Sequence, residues 1–281
     1  MSQSRQAIKN RIRSVESTMK ITRVMQLMAS TELTRQRKTM EENREYAQGM
    51  AGLLNFALTH ADKNNPFLQE NEGKPSFIIV FTSDMGLCGS YNANVFRLFE
   101  QIVQPDDHVV MVGSKGCAWA RSREIDLEDA AEDLSKDGAY DWFSQVVEKA
   151  LHLFMNEQIS AVRILYTHYK NTLTFEPRLE TVLPAAKKET EEKPSRALTI
   201  YEPGEEEMLK EVLPLAAKSL VYSRYLESRT SEQASRRMAM EAATDNADEL
   251  KDELTLAYNQ ARQSAITNEI IDIVGGANAL S

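Results

Sequence analysis

The turn SDMGLCGSYNAN, residues 83–94, holds the residue types most suited to chemistry in this chain. It follows a β-rich run and opens a helical pattern, the place where α/β folds bring backbone N–H groups and a helix dipole to a phosphate. Its glycines are Gly86 and Gly89 alone, so G-x-G-x-x-G is not met, and G-x-x-x-x-G-K-[ST] occurs nowhere in the chain. Asp106, 20 positions after Gly86, matches a ribose-binding acid by count only. Cys88 would act as a nucleophile if the helix N-terminus favoured its thiolate and a base stood beside it. The four histidines, His60, His108, His152 and His168, show no metal-ligand spacing, and nothing in the sequence ties one to Cys88. The residues therefore favour a structural turn at Gly86, Cys88 and Gly89, with no catalytic, cofactor or metal site.

The elements that would position this turn are legible from glycine and proline, which punctuate helices. Residues 1–48 and 215–274 contain neither, and all eight prolines fall between Pro66 and Pro214. In the first segment Ile8, Ile12, Val15, Met19, Met25, Met28 or Ala29, and Leu33 recur at steps of three and four, one apolar face of a helix. In the last, Leu220, Leu226, Ala234, Met238, Ala242, Asn246, Leu250, Leu254, Ala257, Ala261, Ala265 and Ile273 keep nearly that spacing. At ~1.5 Å rise per residue, sixty helical residues would extend roughly 90 Å, and a helix that long needs a partner. Residues 1–40 carry nine basic and two acidic residues, net +7; residues 241–281 carry eight acidic and two basic, net −6. An antiparallel coiled coil of the terminal helices would offset the repulsion within each.

The middle alternates. Phe77–Ser83, His108–Gly113 and Ala161–Tyr169 read as strands, and residues 91–103, 115–123 and 138–157 as helices, so a small Rossmann-like α/β sheet is expected. Leu173–Pro184 reads as an added strand with prolines at its edges, and residues 185–196 as a solvated loop. The expected fold is thus α/β with long helices: an N-terminal coiled-coil helix at 1–60, a central domain at 75–200 and a C-terminal coiled-coil helix at 205–281. Asn246, Arg262, Gln263, Thr267 and Glu269 interrupt the C-terminal seam with polar groups, as register-setting positions or as contacts to another protein. The closing run IIDIVGGANAL is apolar and is expected to insert into a partner.

Composition bounds the function. The 281 residues are 42% hydrophobic and 27% charged, with net charge −9, which suits a soluble globular chain and argues against a nucleic-acid binder. Cys88 and Cys117 form neither C-x-x-C nor a disulfide framework, as in a reducing compartment. No apolar run is long enough to span a bilayer, and the first residues lack the apolar core of a secretory signal.

Three motifs, Arg11–Ser30, Ser83–Phe96 and Ser231–Leu280, give the chain a resemblance over nearly its whole length to the γ subunit of the F-type ATP synthase, the rotor shaft of the catalytic head. The resemblance implies a non-catalytic chain without cofactors. Its coiled coil would turn inside a ring of three α and three β subunits while its α/β domain meets the ε subunit and the c ring. Membrane association would be peripheral and indirect, through the F0 sector, on the cytoplasmic face of a bacterial inner membrane. By the same resemblance Arg262, Gln263 and Thr267, beside Glu269, match positions that grip a β subunit, and Met25 and Arg236 match positions packed near a β-subunit lever. Tyr201 and Glu202 match the foot on the c ring. The chain departs from the usual pattern at Glu32, Asp272, Arg237–Met238 and Pro214, the last expected to kink the final helix or delay its start.

Overall fold

The computed structural model describes residues 5–60, 65–69, 71–134, 136–186 and 205–280. Two helices frame the chain: α1, Arg5–His60, and α5, Glu205–Leu280. Between them lie β1 (Ser76–Phe81), α2 (Tyr91–Ile102), β2 (His108–Val112), α3 (Ser114–Ser122), β3 (Asp129–Ala131), α4 (Lys136–Met155), β4 (Ala161–Tyr169) and β5 (Phe175–Leu183). The strand β3 and a 3-10 turn at Pro66–Leu68 had no sequence signal, being too short for periodicity. Pro214 lies inside α5 and does not delay its start, since the helix already runs from Glu205. Residues 185–196, expected as a solvated loop, lie outside the described residues from 187 onward, as do Tyr201 and Glu202.

Packing sorts the chain into two compact units, residues 1–30 with 236–281, and residues 31–235. This division cuts both long helices, because a helix is continuous by its own backbone bonds while its neighbours change along its length.

In the second unit a five-stranded sheet has the order β3-β2-β1-β4-β5. β1 is parallel to β2 and β4, β2 is parallel to β3, and β5 returns antiparallel to β4. Covered on both faces, β1 is buried along its whole length and reads SFIIVF without polar alternation. Its odd residues, Phe77, Ile79 and Phe81, face Phe143, Val147 and Phe154 of α4 and Leu209, Leu213 and Val221 of α5. Ile78 and Val80 face Val95 and Phe99 of α2 and Cys117 and Ala120 of α3. The period of two along a strand sends alternate residues into two separate cores.

In the first unit the helices run antiparallel: Thr244 Oγ1 donates to Thr22 Oγ1 at 2.8 Å, Asp248 feels the charge of Arg23, and Lys251, further along α5, that of Glu16, earlier in α1. On α1 the seam falls as expected at Ile8, Ile12, Val15, Met19, Met25 and Ala29; Ala29 takes the seam and Met28 is 65% exposed. On α5 the expected register is corrected. Ala242, Asn246, Leu250, Ala257 and Ile273 are exposed, while Thr244, Ala247, Lys251, Leu254, Tyr258, Ala261 and Ala265 turn inward at steps of three and four. Alanines lie on several faces of this helix, so apolar period alone could not choose the stripe.

Candidate functional site

The strand order reverses direction between β1 and β4, and in open α/β sheets ligands bind at the carboxyl ends of the strands at that switch point. Here β1 pairs with β4 only as far as Val80 with Leu165. Beyond Leu165 the β1 side of β4 has no strand, and its backbone groups at Thr167 and Tyr169, two residues apart and so on one edge, need other partners. They receive them from α5. The Thr167 N–H donates to Ser228 Oγ (3.2 Å), Ser231 Oγ donates to the Thr167 carbonyl (3.0 Å), and the Tyr169 N–H donates to Glu227 Oε1 (3.1 Å). Ser228 also shares a 2.8 Å hydrogen bond with the Tyr91 hydroxyl, and Ser235 Oγ donates to the Cys88 carbonyl at 2.6 Å. The crevice that would take a nucleotide in a Rossmann fold is filled by the chain's own helix.

The helix N-terminus that follows β2 is occupied as well. The N-terminus of α3 directs its first N–H at a carboxylate of the same chain: Asp84 Oδ1 accepts from Ser114 N–H at 3.0 Å, from Ser114 Oγ at 3.3 Å and from Asp133 N–H at 3.0 Å. An anion at a helix N-terminus is favoured by the dipole, and this one is covalently supplied. Asp84 Oδ2 faces the Arg229 guanidinium at 3.2 Å. Burial alone would lower the proton affinity of Arg229, yet Glu232, Tyr225 and Asp84 around it raise it, so the cation persists. The approach is tight: a Cβ on Gly113 would meet the Thr82 carbonyl oxygen at 2.4 Å, and φ there is +104°, which only glycine tolerates readily.

The turn after β1 closes on itself. Asn92 Nδ2 donates to Ser83 Oγ (2.7 Å) and Ser83 N–H donates to Asn92 Oδ1 (3.1 Å). Gly89 has φ +58°, and Leu87, at φ +60°, takes the same left-handed conformation despite its side chain. Cys88 is buried, with Ser83 Oγ 3.6 Å and Asn92 Nδ2 3.5 Å from its sulfur. Neither is a general base. His108 pairs with Glu128, His168 with Glu227 and His152 with Asn156. Burial pushes the Cys117 thiol up, which disfavours its thiolate. Among the described residues no group of acids, histidines and cysteines could hold a metal ion. Burial likewise raises the Tyr91 hydroxyl far above its ordinary value, so it stays a neutral partner for Ser228.

The remaining residues singled out in the sequence lie on the helices. Arg262, Gln263, Thr267 and Glu269 are exposed on α5 and do not interrupt the seam, which passes through Ala261 and Ala265. Gln263 and Thr267 join Gln260, Ser264 and Asn268 around an open polar groove of about 440 Å³. Met25 is half-buried and Arg236 is buried. Glu32 forms an ion pair with Arg35 and accepts from Gln36 Nε2 at 2.6 Å, so its negative charge is met on its own helix. Asp84, Arg229 and the serines of α5 carried no weight in the sequence reading. One signal was present: Ser228, Ser231 and Ser235 stand at i, i+3 and i+7, a hydroxyl stripe on one helix face.

These features define a class: a chain with one antiparallel two-helix unit and one Rossmann-order α/β unit whose ligand crevice is sealed by a helix. Residues 4–280 match the family described as ATP synthase. The ATP synthase gamma chain of Clostridium kluyveri is 35% identical over 276 residues, 97% of each chain. The sodium ion specific ATP synthase gamma chain of Acetobacterium woodii is 37% identical over 302 aligned residues and all of both chains. A chain of the Euglena gracilis mitochondrial ATP synthase, solved as OSCP, F1 and c-ring, has the same fold, with TM-score 0.67 at 17% identity over 98% of this chain and 95% of that one. A chain of the Tetrahymena thermophila mitochondrial ATP synthase central stalk and c-ring assembly gives TM-score 0.57 at 22% identity over 79% of this chain and 99% of that one. The chain belongs to the ATP synthase gamma-chain family.

Proposed function

We propose that this chain is the central-stalk rotor subunit of a rotary ATP synthase, carrying rotation of a c ring to the catalytic sites of a head built from α and β subunits. The observation that carries the reading is the surface of the two-helix unit. Ile21, Val24, Leu27 and Met28 on α1, and Ile266, Ile270, Ile271, Ile273 and Val274 on α5, are exposed large apolar residues. A surface of that kind signals a partner. A rotor works by shape: as it turns, different faces meet each site of the head in sequence, and differential contact biases the conformations of those sites. The chain needs no reactive group for this, and its Rossmann crevice is sealed.

Within this reading Arg262, Gln263, Thr267 and Glu269, all exposed on α5, grip a β subunit. Met25 and Arg236 pack where a β-subunit lever presses on the shaft. Tyr201 and Glu202 stand at the c-ring foot, and the ε subunit binds the α/β unit. The complex lies on the cytoplasmic face of a bacterial inner membrane, held there through F0; no helix among the described residues is long and apolar enough to cross a membrane.

Reconstitution tests the reading. The purified chain mixed with isolated α and β subunits is expected to give a complex of three α, three β and one copy of this chain that hydrolyses MgATP, while the chain alone does not. Replacing Arg262 and Gln263 with alanine is expected to lower that activity with the α/β unit still folded. A chain that ignores the α and β subunits refutes the rotor assignment.

A further inference from the structure

α5 meets the sheet in two chemically distinct stretches. From Leu209 to Leu226 it offers Leu209, Leu213, Ala217, Val221, Tyr225 and Leu226 to the apolar core. From Glu227 to Ser235 it is buried almost throughout, and nearly every residue there is polar: Glu227 is 7% exposed, Ser228 1%, Thr230 and Ser231 0%, Glu232 3% and Ser235 4%. The apolar stripe of the first stretch selects the face that meets the sheet, and Arg224, which donates to both carboxylate oxygens of Glu180 on β5, adds one directional contact there. Hydrogen bonds are directional. Those of Ser228 and Ser231 to Thr167, of Glu227 to Tyr169, and of Ser235 to Cys88, with the Asp84–Arg229 pair, are all met in one rotational setting. A slip of one residue turns the helix by about 100° and strips every one of them together.

We infer that this polar joint fixes the azimuth of α5 on the sheet, making Asp84, Arg229, Ser228 and Ser231 positioning residues through which torque passes between the α/β unit and the helix. The inference rests on the rotor reading and adds to it where the load is carried. A rotor must hold angle under load. A buried polar cluster is suited to set register, as polar positions do in coiled coils, whereas an apolar stripe of the same area fixes the angle less sharply.

The test uses the whole complex in sealed vesicles, with Ser228→Ala plus Ser231→Ala in one variant and Asp84→Asn in another. ATP hydrolysis by the soluble head with this chain is expected to stay near the unaltered level. Ion uptake per ATP by the vesicles is expected to fall about twofold or more, and further as the opposing gradient grows, because each lost buried partner favours the slipped setting. Amide exchange at Thr167 and Tyr169 in the serine variant is expected to speed up. Tyr91→Phe, which removes only the hydroxyl that meets Ser228, is expected to give a smaller fall of the same kind and serves if the double variant does not assemble. Faster exchange at Thr167 with unaltered uptake per ATP at every gradient overturns the inference, and so does an equal loss of head hydrolysis and uptake. Vesicles with the unaltered chain that hydrolyse ATP without taking up ions would instead sink the rotor reading on which it stands.

Discussion

In the α/β unit the side chains of Phe77, Ile79, Val80, Phe143 and Ile164 are wholly shielded from water, and at the crevice the backbone groups of Thr167 and the Tyr169 N–H have partners on α5. In the two-helix unit Ile21 is 61% exposed, Val24 57%, Leu27 68% and Ile273 71%. The same helices, α1 and α5, run through both units, so the difference does not lie in secondary structure. It lies in what surrounds each stretch. Where a sheet and three further helices are available, apolar residues complete a core; where only one other helix is, one stripe is buried and the remaining apolar surface faces out. The α/β unit has its own exceptions, among them Met85 and Leu87 on the turn after β1 and Leu173 between β4 and β5, each about as exposed as Ile21. The contrast teaches that the α/β unit closes a core of its own, while the two-helix unit buries one stripe and leaves large apolar residues exposed.

The sharpest way to break this contrast is to delete one large apolar side chain from each unit. Phe143 meets Phe81 edge-on at 5.6 Å and Tyr225 at 4.9 Å and is fully buried. Phe143→Ala is expected to destabilise the α/β unit by about 3–5 kcal/mol. Leu27→Ser is expected to change the stability of the isolated chain by no more than about 0.5 kcal/mol while weakening assembly with α and β subunits. Denaturant unfolding and a pull-down with those subunits read the two effects, and equal destabilisation by both substitutions would erase the contrast. A smaller effect is expected inside the two-helix unit. Thr244 is buried and bonds both Thr22 and the Met240 carbonyl, so Thr244→Val is expected to cost about 0.5–1.5 kcal/mol, read as a lower melting point of the helical signal.

The smallest expected effect is a pH dependence at the far end of the sheet. Glu128 accepts from Lys149 at 2.5 Å and from His108 at 2.8 Å, and these partners, Lys149 first, hold its carboxyl below its ordinary value of 4.5. A depressed carboxylate contributes stability that is present above the unfolded value and lost as pH falls through the folded one. Glu128→Gln is therefore expected to flatten the stability loss below about pH 4.5 and to leave the pH dependence near neutrality little changed. Urea midpoints measured across that range check it, and an unchanged acid limb in the variant would remove Glu128 from the account.

Much of this molecule was legible from its residues taken alone. The strand at Ala161–Tyr169 coincides with the sequence reading, and the other helices and strands expected in the α/β unit agree to within about two residues, β3 alone among its strands having no counterpart. The opposite charges of the terminal segments and the apolar face of α1 were equally plain, because periodicity and charge are local properties of a chain. Other features waited for the tertiary structure. The seam of α5 depends on which of several small-residue faces a partner helix selects. The joint at the crevice unites Asp84 with Arg229, 145 positions apart, and Cys88 with Ser235, 147 apart. No local pattern can report such pairs, since an aspartate in a turn and a serine in a helix each read as ordinary surface residues until the fold buries them together. Sequence alone thus determined the elements and the family likeness; the filling of the ligand crevice by α5 was decided only by packing, which sets who meets whom across the chain.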